Sequence, residues 1–208
     1  MRGNAMITSA KNYNYRHSTY RSELHETERT FSADAAEHIH IHAFARNFAP
    51  GVEHAPDVGF VLLTNGMSDR RMTLPTSLLE KGEKPRAELM WYVREPTRDI
   101  IFNLRWLAML PFVDTTWFGF GHRVPMPDPP LAGCAFKTFL LLTPIIGPDK
   151  RIAEKLSIDH DTVEILTVHL ISDAEYAFVK QNGVDPFLDL LDERAYPLIF
   201  DPKRESYV

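Results

Sequence analysis

Residues 86–110 read RAELMWYVREPTRDIIFNLRWLAML, and the spacing of their apolar side chains changes part-way along. Over residues 86–95 the side chains alternate with a period of two, which predicts a β-strand. Over residues 98–110 apolar side chains recur every three or four positions, which predicts an amphipathic helix. Thr97 is a suitable N-cap, and Pro111 is expected to end the helix. The stretch therefore predicts one strand and one helix joined by a short connection.

The same two patterns recur outward from this stretch. Strands are predicted at residues 37–46, 58–64, 134–146 and 163–171, and helices at residues 172–183 and 185–193. The first of these helices has Ser172 as its cap and Glu175 at the capping-box position. Because strands come in groups with helices between or after them, we predict an α+β fold. The expected architecture is a single domain in which a mixed, mostly antiparallel sheet is packed with helices.

The domain is predicted to span residues 23–208. Residues 1–22 are rich in Asn, Tyr, Ser and Arg and show little periodicity, so we expect a flexible N-terminal arm there. No repeat or Gly/Ser linker divides the rest of the chain.

Composition narrows the class of protein. The net charge of −5 argues against a nucleic-acid-binding surface, which usually carries a basic excess. The single cysteine, Cys134, cannot form an internal disulfide, which favours a reducing compartment. No apolar segment has the length of a signal peptide or of a membrane span. We therefore expect a cytoplasmic protein that binds neither nucleic acid nor membrane.

Three histidines alternate with apolar residues in HIHIHAF, residues 38–44. On a strand, side chains two positions apart lie ~6.5–7 Å apart on one face, so neighbouring imidazoles are close enough to share a zinc ion. His38 and His42 would lie ~13 Å apart, so a site needs one pair and a distant ligand. One hypothesis is a metal-dependent hydrolase that uses a pair from His38, His40 and His42 with a remote third ligand. We favour the other, a solvated polar face of a strand whose isoleucines face the core, because one pair is not a ligand set.

Motifs of the common catalytic and cofactor-binding classes are missing. The sequence contains no GxSxG, HExxH, GxxxxGK[ST] or GxGxxG. Cys134 lies in an apolar run, where a buried cysteine is usually inert. We therefore expect no enzymatic activity, no bound metal and no cofactor.

Two loops carry residues that favour a protein-binding function. The aromatic segment 112–122 and the arginine after it have the composition of interface anchors, although such aromatic residues can also close one end of a core. The second loop is the tight turn that Asn65-Gly66 predicts at the end of a strand. The predicted protein-binding residues are Asn65, Met67, Ser68, Trp117, Phe120, His122 and Arg123.

Three stretches together resemble the Suppressor of fused (SUFU-like) family. The first is VLLTNGMSDRRMTLP at residues 61–75, and the second is RAELMWYV at residues 86–93 with the helix after it. The third is the closing order TWFGFGH, FKTFLLLTP and VEILTVHLISDAEYAFVKQNG, which ends at residue 183. The similarity covers about residues 35–205, and the chain looks like the bacterial members, which lack the extra C-terminal region of the animal protein.

The resemblance implies binding rather than catalysis. Bacterial members of this size act largely as immunity proteins, so the favoured hypothesis is a non-catalytic domain that neutralises a toxin by direct binding. The net charge of −5 is complementary to a basic toxin domain and would speed the encounter. Because the animal relative restrains a transcription factor by direct contact, a regulator that sequesters such a factor is an alternative.

Overall fold

Along the chain, single helices separate groups of one to three strands, and two helices follow the last strand. The computed structural model describes residues 2–33, 38–49, 56–194 and 196–208, with side chains described from residue 10 onward. Its helices are α1 (Arg2–Leu24), α2 (Thr76–Leu79), α3 (Arg98–Val113), α4 (Gly147–Lys155), α5 (Asp173–Asn182) and α6 (Asp185–Glu193). Its strands are β1 (Arg29–Phe31), β2 (His40–Asn47), β3 (Val58–Asn65), β4 (Arg86–Val93), β5 (Arg123–Pro125), β6 (Thr138–Leu142), β7 (Ser157–Ile158) and β8 (Asp161–Ile171). A 3-10 turn spans Met67–Asp69.

The strands form one open sheet in the order β1-β2-β3-β4-β8-β6-β5, and β7 makes a short hairpin with β8. Neighbouring strands are antiparallel except β4 and β8, which are parallel. The predicted α+β class, a single domain with a mixed and mostly antiparallel sheet, is confirmed.

Helices cover both faces of the sheet. On one face, Leu89 and Trp91 of β4 share a core cluster with the buried side of α3. On the other face, Met90 and Tyr92 of β4 share a cluster with α1 and α4, to which α1 contributes Tyr20. All eight residues of β4 are buried, as expected of a central strand with a layer of helices on each side.

The N-terminal segment differs from the prediction of a flexible arm over residues 1–22. Arg2–Leu24 form α1, and Tyr20 of this helix is fully buried against the sheet. Its buried residues from position 10 onward are Arg16, Thr19, Tyr20 and Leu24. Since half of these side chains are strongly polar, the apolar periodicity that marks an amphipathic helix is missing. The predicted boundary between residues 22 and 23 falls inside this helix.

Helix α3 confirms the prediction for residues 98–110 except at its C-terminal end. Thr97 is the N-cap, and its side chain accepts a hydrogen bond from the backbone of Ile100. Pro111 does not end the helix, which continues to Val113. The last carbonyls still find donors, because the N–H of Thr116 reaches the oxygen of Pro111. The capping box predicted for the next C-terminal helix, with Ser172 and Glu175, is confirmed at the start of α5.

Strand predictions are confirmed in position and corrected in length. The strand predicted at residues 134–146 is β6, which spans only Thr138–Leu142. Residue 37, where the first strand was predicted to begin, lies outside the described residues. Across the described segments, none of the helices is both long enough and apolar enough to cross a membrane.

Candidate protein-binding site

A glycine turn at the end of β3 is built around the carboxylate of Glu88 on β4. Glu88 is fully buried, and its Oε1 accepts hydrogen bonds from the N–H groups of Gly66 (3.1 Å) and Ser68 (3.0 Å) and from Ser68 Oγ (2.7 Å). Its Oε2 accepts from Thr64 Oγ1 at 2.6 Å. Gly66 has a φ of 139°, and a Cβ atom there would collide with the carbonyl oxygen of His38. The turn therefore requires glycine, and the buried carboxylate fixes its shape.

Arg16 of α1 lies over this turn with its side chain fully buried. Its Nε donates to Asn65 Oδ1 at 2.6 Å, and its Nη1 donates to Asp69 Oδ1 at 2.8 Å. The same Nε lies 3.4 Å from Glu88 Oε1. Burial alone lowers the pKa of the guanidinium, but the charge of Glu88 and the hydrogen bond to Asp69 outweigh it and raise that pKa. Arg16 thus joins α1 to two strands of the sheet.

The turn at residues 65–68 supports the fold rather than forming exposed surface. Asn65, Met67 and Ser68, which we predicted to bind a protein, have exposed fractions of 0%, 1% and 0%. Asn65 and Ser68 are bonded to Arg16 and Glu88, and Met67 belongs to the main core cluster. No local pattern indicates this burial, because the side chain that covers the turn comes from α1.

The three histidines of HIHIHAF lie in three different environments. His38 is exposed, His40 is half-buried and His42 is fully buried beneath α1. The ring of His42 stacks on His17, with the ring centroids 4.3 Å apart and the planes at 11°. Both isoleucines of the segment face the core as predicted. The prediction of a solvated histidine face is wrong at His42, because α1 covers that side of β2.

Both ring nitrogens of His42 have hydrogen-bond partners. Because Asn65 Oδ1 accepts from Arg16, Asn65 Nδ2 donates to His42 Nε2 at 3.1 Å. Nε2 is therefore the acceptor, and Nδ1 carries the proton that is donated to Thr30 Oγ1 at 3.0 Å. Burial, reinforced by His17, lowers the pKa of His42 to about 3, so the ring is neutral near pH 7. Neither nitrogen has a free lone pair for a metal ion.

The described residues also lack a group of three or more His, Cys, Asp or Glu side chains that could hold a metal ion. The histidine strand instead serves as packing and hydrogen-bonding surface for α1. Tyr13 of that helix contacts His40 edge-on, with ring centroids 4.9 Å apart.

The loop after α3 places the predicted aromatic residues at one end of the sheet. Trp117 is half-buried, and its ring centroid lies 4.1 Å from that of His122. The Nδ1 of His122 and the carbonyl oxygen of Trp117 are 3.2 Å apart, and burial lowers the pKa of this histidine. These two side chains pack against each other, and Trp117 also packs against the core cluster at this end.

Phe120 and Arg123 are the predicted contact residues that face solvent. Phe120 is 42% exposed, and Arg123 is exposed on β5, the edge strand of the sheet. Gly121 holds the loop to the sheet, because its N–H donates to the oxygen of Leu141 at 2.7 Å. Of the seven predicted residues, Phe120 and Arg123 are therefore the two that are exposed.

A pocket next to Phe120 was not predicted from the sequence. It encloses about 260 Å³ between the sheet and α6. Leu142 and Thr167 line it from the sheet, and Leu188 and Leu191 line it from α6. Its residues come from separate segments of the chain, and no local motif marks them.

Comparison with known proteins gives the family. Residues 35–205, most of the chain, match the family model described as Suppressor of fused protein (SUFU). The chain belongs to the Suppressor of fused family. This assignment fits a non-catalytic role in protein binding, as the resemblance implied. No curated protein sequence matches the chain.

Solved Suppressor of fused structures share the fold at low sequence identity. A homologue from Neisseria gonorrhoeae aligns with a TM-score of 0.68 and 17% identity over 96% of this chain and 98% of that one. A chain of the Sufu–Fu complex aligns with a TM-score of 0.66 and 12% identity over 94% and 92% of the two chains. Drosophila Suppressor of Fused aligns with a TM-score of 0.56 and 15% identity over 81% of this chain and 42% of that one.

Proposed function

We propose that this protein is a non-catalytic immunity protein that neutralises a toxin by binding it directly. The observation that carries the proposal is the family match over residues 35–205. A solved structure with this fold is a complex, named Sufu–Fu, which supports a binding role. Neutralisation by binding needs a rigid scaffold with an exposed recognition surface and no chemistry of its own.

The internal polar networks provide such a scaffold. Asp149 of α4 is fully buried and accepts two hydrogen bonds of 2.7 Å from Arg46 and one of 2.5 Å from Tyr92. Glu175 of α5 is equally buried and accepts hydrogen bonds of 2.6 and 2.8 Å from Arg204. Because these carboxylates are saturated by partners inside the protein, they tie helices and the C-terminal tail to the sheet.

We propose that the contact surface lies around Phe120 and Arg123. An exposed aromatic side chain, followed three positions later by an exposed arginine, has the composition of an interface anchor. The net charge of −5 favours a basic partner, such as a nuclease toxin with a basic cleft. Trp117 and His122 support this loop from beneath, and the buried turn at residues 65–68 is not part of the proposed surface.

Growth rescue tests the proposal. A candidate toxin from a gene next to that of this protein is expressed in a sensitive host, alone and together with this chain, and we expect growth only when both are expressed. Phe120→Asp and Arg123→Glu should each reduce rescue, whereas Phe102→Asp, at a 66% exposed position on α3, should not. Failure to rescue, with no complex in size-exclusion chromatography of the mixed proteins, would rule out the immunity role. Recovery of a transcription factor instead of a toxin in a pull-down would favour the regulator.

A further inference from the structure

The pocket beside Phe120 is enclosed by the sheet and by α6. Its floor is formed by β4, β6 and β8, which contribute Tyr92, Leu142 and Thr167. Helix α6 supplies Leu188 and Leu191 opposite them. Its mouth is bordered by large apolar residues that are exposed to solvent, since Phe120 is 42% and Ile145 is 67% exposed. An apolar pocket with an apolar rim is a favourable place for a partner to bury a side chain.

The size of the pocket limits its occupant. A cavity of ~150 Å³ lined by aliphatic side chains holds one benzene molecule. Pockets for drug-sized ligands and cofactors have volumes of about 300–1,000 Å³. At about 260 Å³, this pocket lies between the two and suits one large aromatic ring system.

Three of the polar side chains that line the pocket are bonded to one another. His169 lies 3.2 Å from the hydroxyl of Tyr196 through Nδ1 and 3.1 Å from Thr167 Oγ1 through Nε2. Burial, with a smaller effect of Arg204, lowers the pKa of His169 to about 4, so this ring is neutral near pH 7. The pocket interior therefore offers no charge to an occupant.

Among the described residues that line the pocket, Asp192 is the one acidic side chain, and none is a Lys or Arg. Asp192 of α6 borders the pocket and is exposed, and Asp185, Asp189 and Glu193 of the same helix are exposed as well. A positive group that follows an aromatic side chain to the pocket would meet this acidic helix. The chemistry of the rim thus matches the sign of the net charge, −5.

We propose that the pocket receives one large aromatic side chain of the protein partner, next to a Lys or Arg that approaches Asp192. This inference rests on the proposed protein-binding function and extends its contact surface from Phe120 to α6. The occupant is a basic segment with a central aromatic residue.

Short peptides test the pocket without the partner. The probe is acetyl-Lys-Trp-Lys-amide, titrated into the methyl-labelled full chain and followed by NMR. We expect saturable shifts at the methyl groups of Leu142, Ile145 and Leu188, with a dissociation constant in the millimolar range. The Lys-Ala-Lys peptide should give no saturable shift, and the Glu-Trp-Glu peptide should bind at least threefold more weakly.

Surface variants give matched comparisons. Ile145→Ser and Asp192→Lys should each weaken binding of the Lys-Trp-Lys peptide at least threefold. Val113→Ser, at a 70% exposed position on α3, and Glu80→Lys, which makes the same charge change after α2, should leave binding unchanged. Because all four positions are exposed or lie at the rim, these variants are expected to fold normally, which circular dichroism would verify.

The outcomes separate this inference from the proposed function. Absence of saturable shifts up to 10 mM peptide, taken as about ten times the expected ~1 mM constant, would overturn the pocket assignment. If a partner is found but Ile145→Ser leaves its affinity unchanged, the pocket inference fails and the protein-binding function stands. If no protein partner is found but tryptamine binds more tightly than the peptide, the protein-binding function fails and the occupant is a free aromatic amine.

Discussion

Removing the buried guanidinium of Arg16 should destabilise the whole fold. In Arg16→Met, the buried acceptors Asn65 Oδ1 and Glu88 Oε1 lose their positive partner, and Asp69 Oδ1 loses a 2.8 Å hydrogen bond. Breaking a buried ion pair by removing one partner typically costs about 3–5 kcal/mol. Because stabilities lie between about 5 and 15 kcal/mol, this is a large fraction of the total.

Urea unfolding followed by circular dichroism measures this loss. The expected decrease in the free energy of unfolding is about 3–5 kcal/mol. In thermal unfolding of a chain of this size, 1 kcal/mol corresponds to about 2–4 °C, so Tm should decrease by roughly 6–20 °C. The matched control is Arg21→Met on the same helix, whose partner Glu26 is at the surface. An exposed pair contributes about 0–1 kcal/mol, so the control should be nearly as stable as the wild type.

A double-mutant cycle identifies the cause. If Arg16 and Glu88 stabilise each other, the loss of unfolding free energy in the double variant Arg16→Met, Glu88→Gln should be smaller than the summed losses of the two single variants. We expect a difference of about 1 kcal/mol or more. Additive losses, or an Arg16→Met variant within about 0.5 kcal/mol of the Arg21→Met control, would refute the assignment of a buried stabilising pair.

Further predictions concern the glycine turn and the histidines His42 and His169. Gly66→Ala should cost more than about 3 kcal/mol in urea unfolding, because backbone strain of about 1–3 kcal/mol adds to the collision with His38. The control Gly82→Ala, where φ is also positive but nothing lies within 4 Å, should show the strain alone, and equal losses would contradict the collision. His42 and His169 have pKa values of about 3 and about 4, below the ~6.5 of an unfolded chain. The unfolded state therefore takes up protons first, and stability should fall as pH decreases from about 6.5 towards 4, by up to ~1.4 kcal/mol per pH unit for each histidine. His42→Gln should make the unfolding free energy less dependent on pH. An unchanged pH dependence would contradict a buried His42 ring that is neutral in the folded protein.

Sequence patterns sufficed for the elements whose apolar residues repeat regularly. The strands around residues 86–93 and 163–171 and the capped helix after Ser172 were placed correctly because the alternation, the apolar run and the capping box that mark them each lie within one short stretch. The family resemblance, based on residue order and spacing, was confirmed over residues 35–205.

Two of the helices that were missed, α1 and α4, bury polar side chains. Helix α1 faces the sheet with Arg16 and Tyr20, and α4 faces it with Asp149 and Ile152. A buried arginine or aspartate carries no hydrophobic signal, and its partners lie 49 or more positions away, as for Arg16 and Asn65 or Asp149 and Arg46. For the same reason the turn at residues 65–68 and His42 looked exposed when the sequence was considered alone.

The sequence indicated only part of the candidate site, because the remaining part also depends on contacts between distant segments. Loop position and residue type pointed correctly to Phe120 and Arg123 as exposed residues. The pocket depends on α6 packing opposite β6 and β8, and such a pairing of distant segments has no local signature.

The position of Arg16 bears on how the protein should be produced for study. A fragment trimmed to the family match, residues 35–205, would lack α1. Water would then reach Phe44, Val61 and Leu63, and Glu88 would remain without its counter-ion. Such a fragment is expected to aggregate during purification, so the first 24 residues belong in every recombinant version and in every assay of a partner.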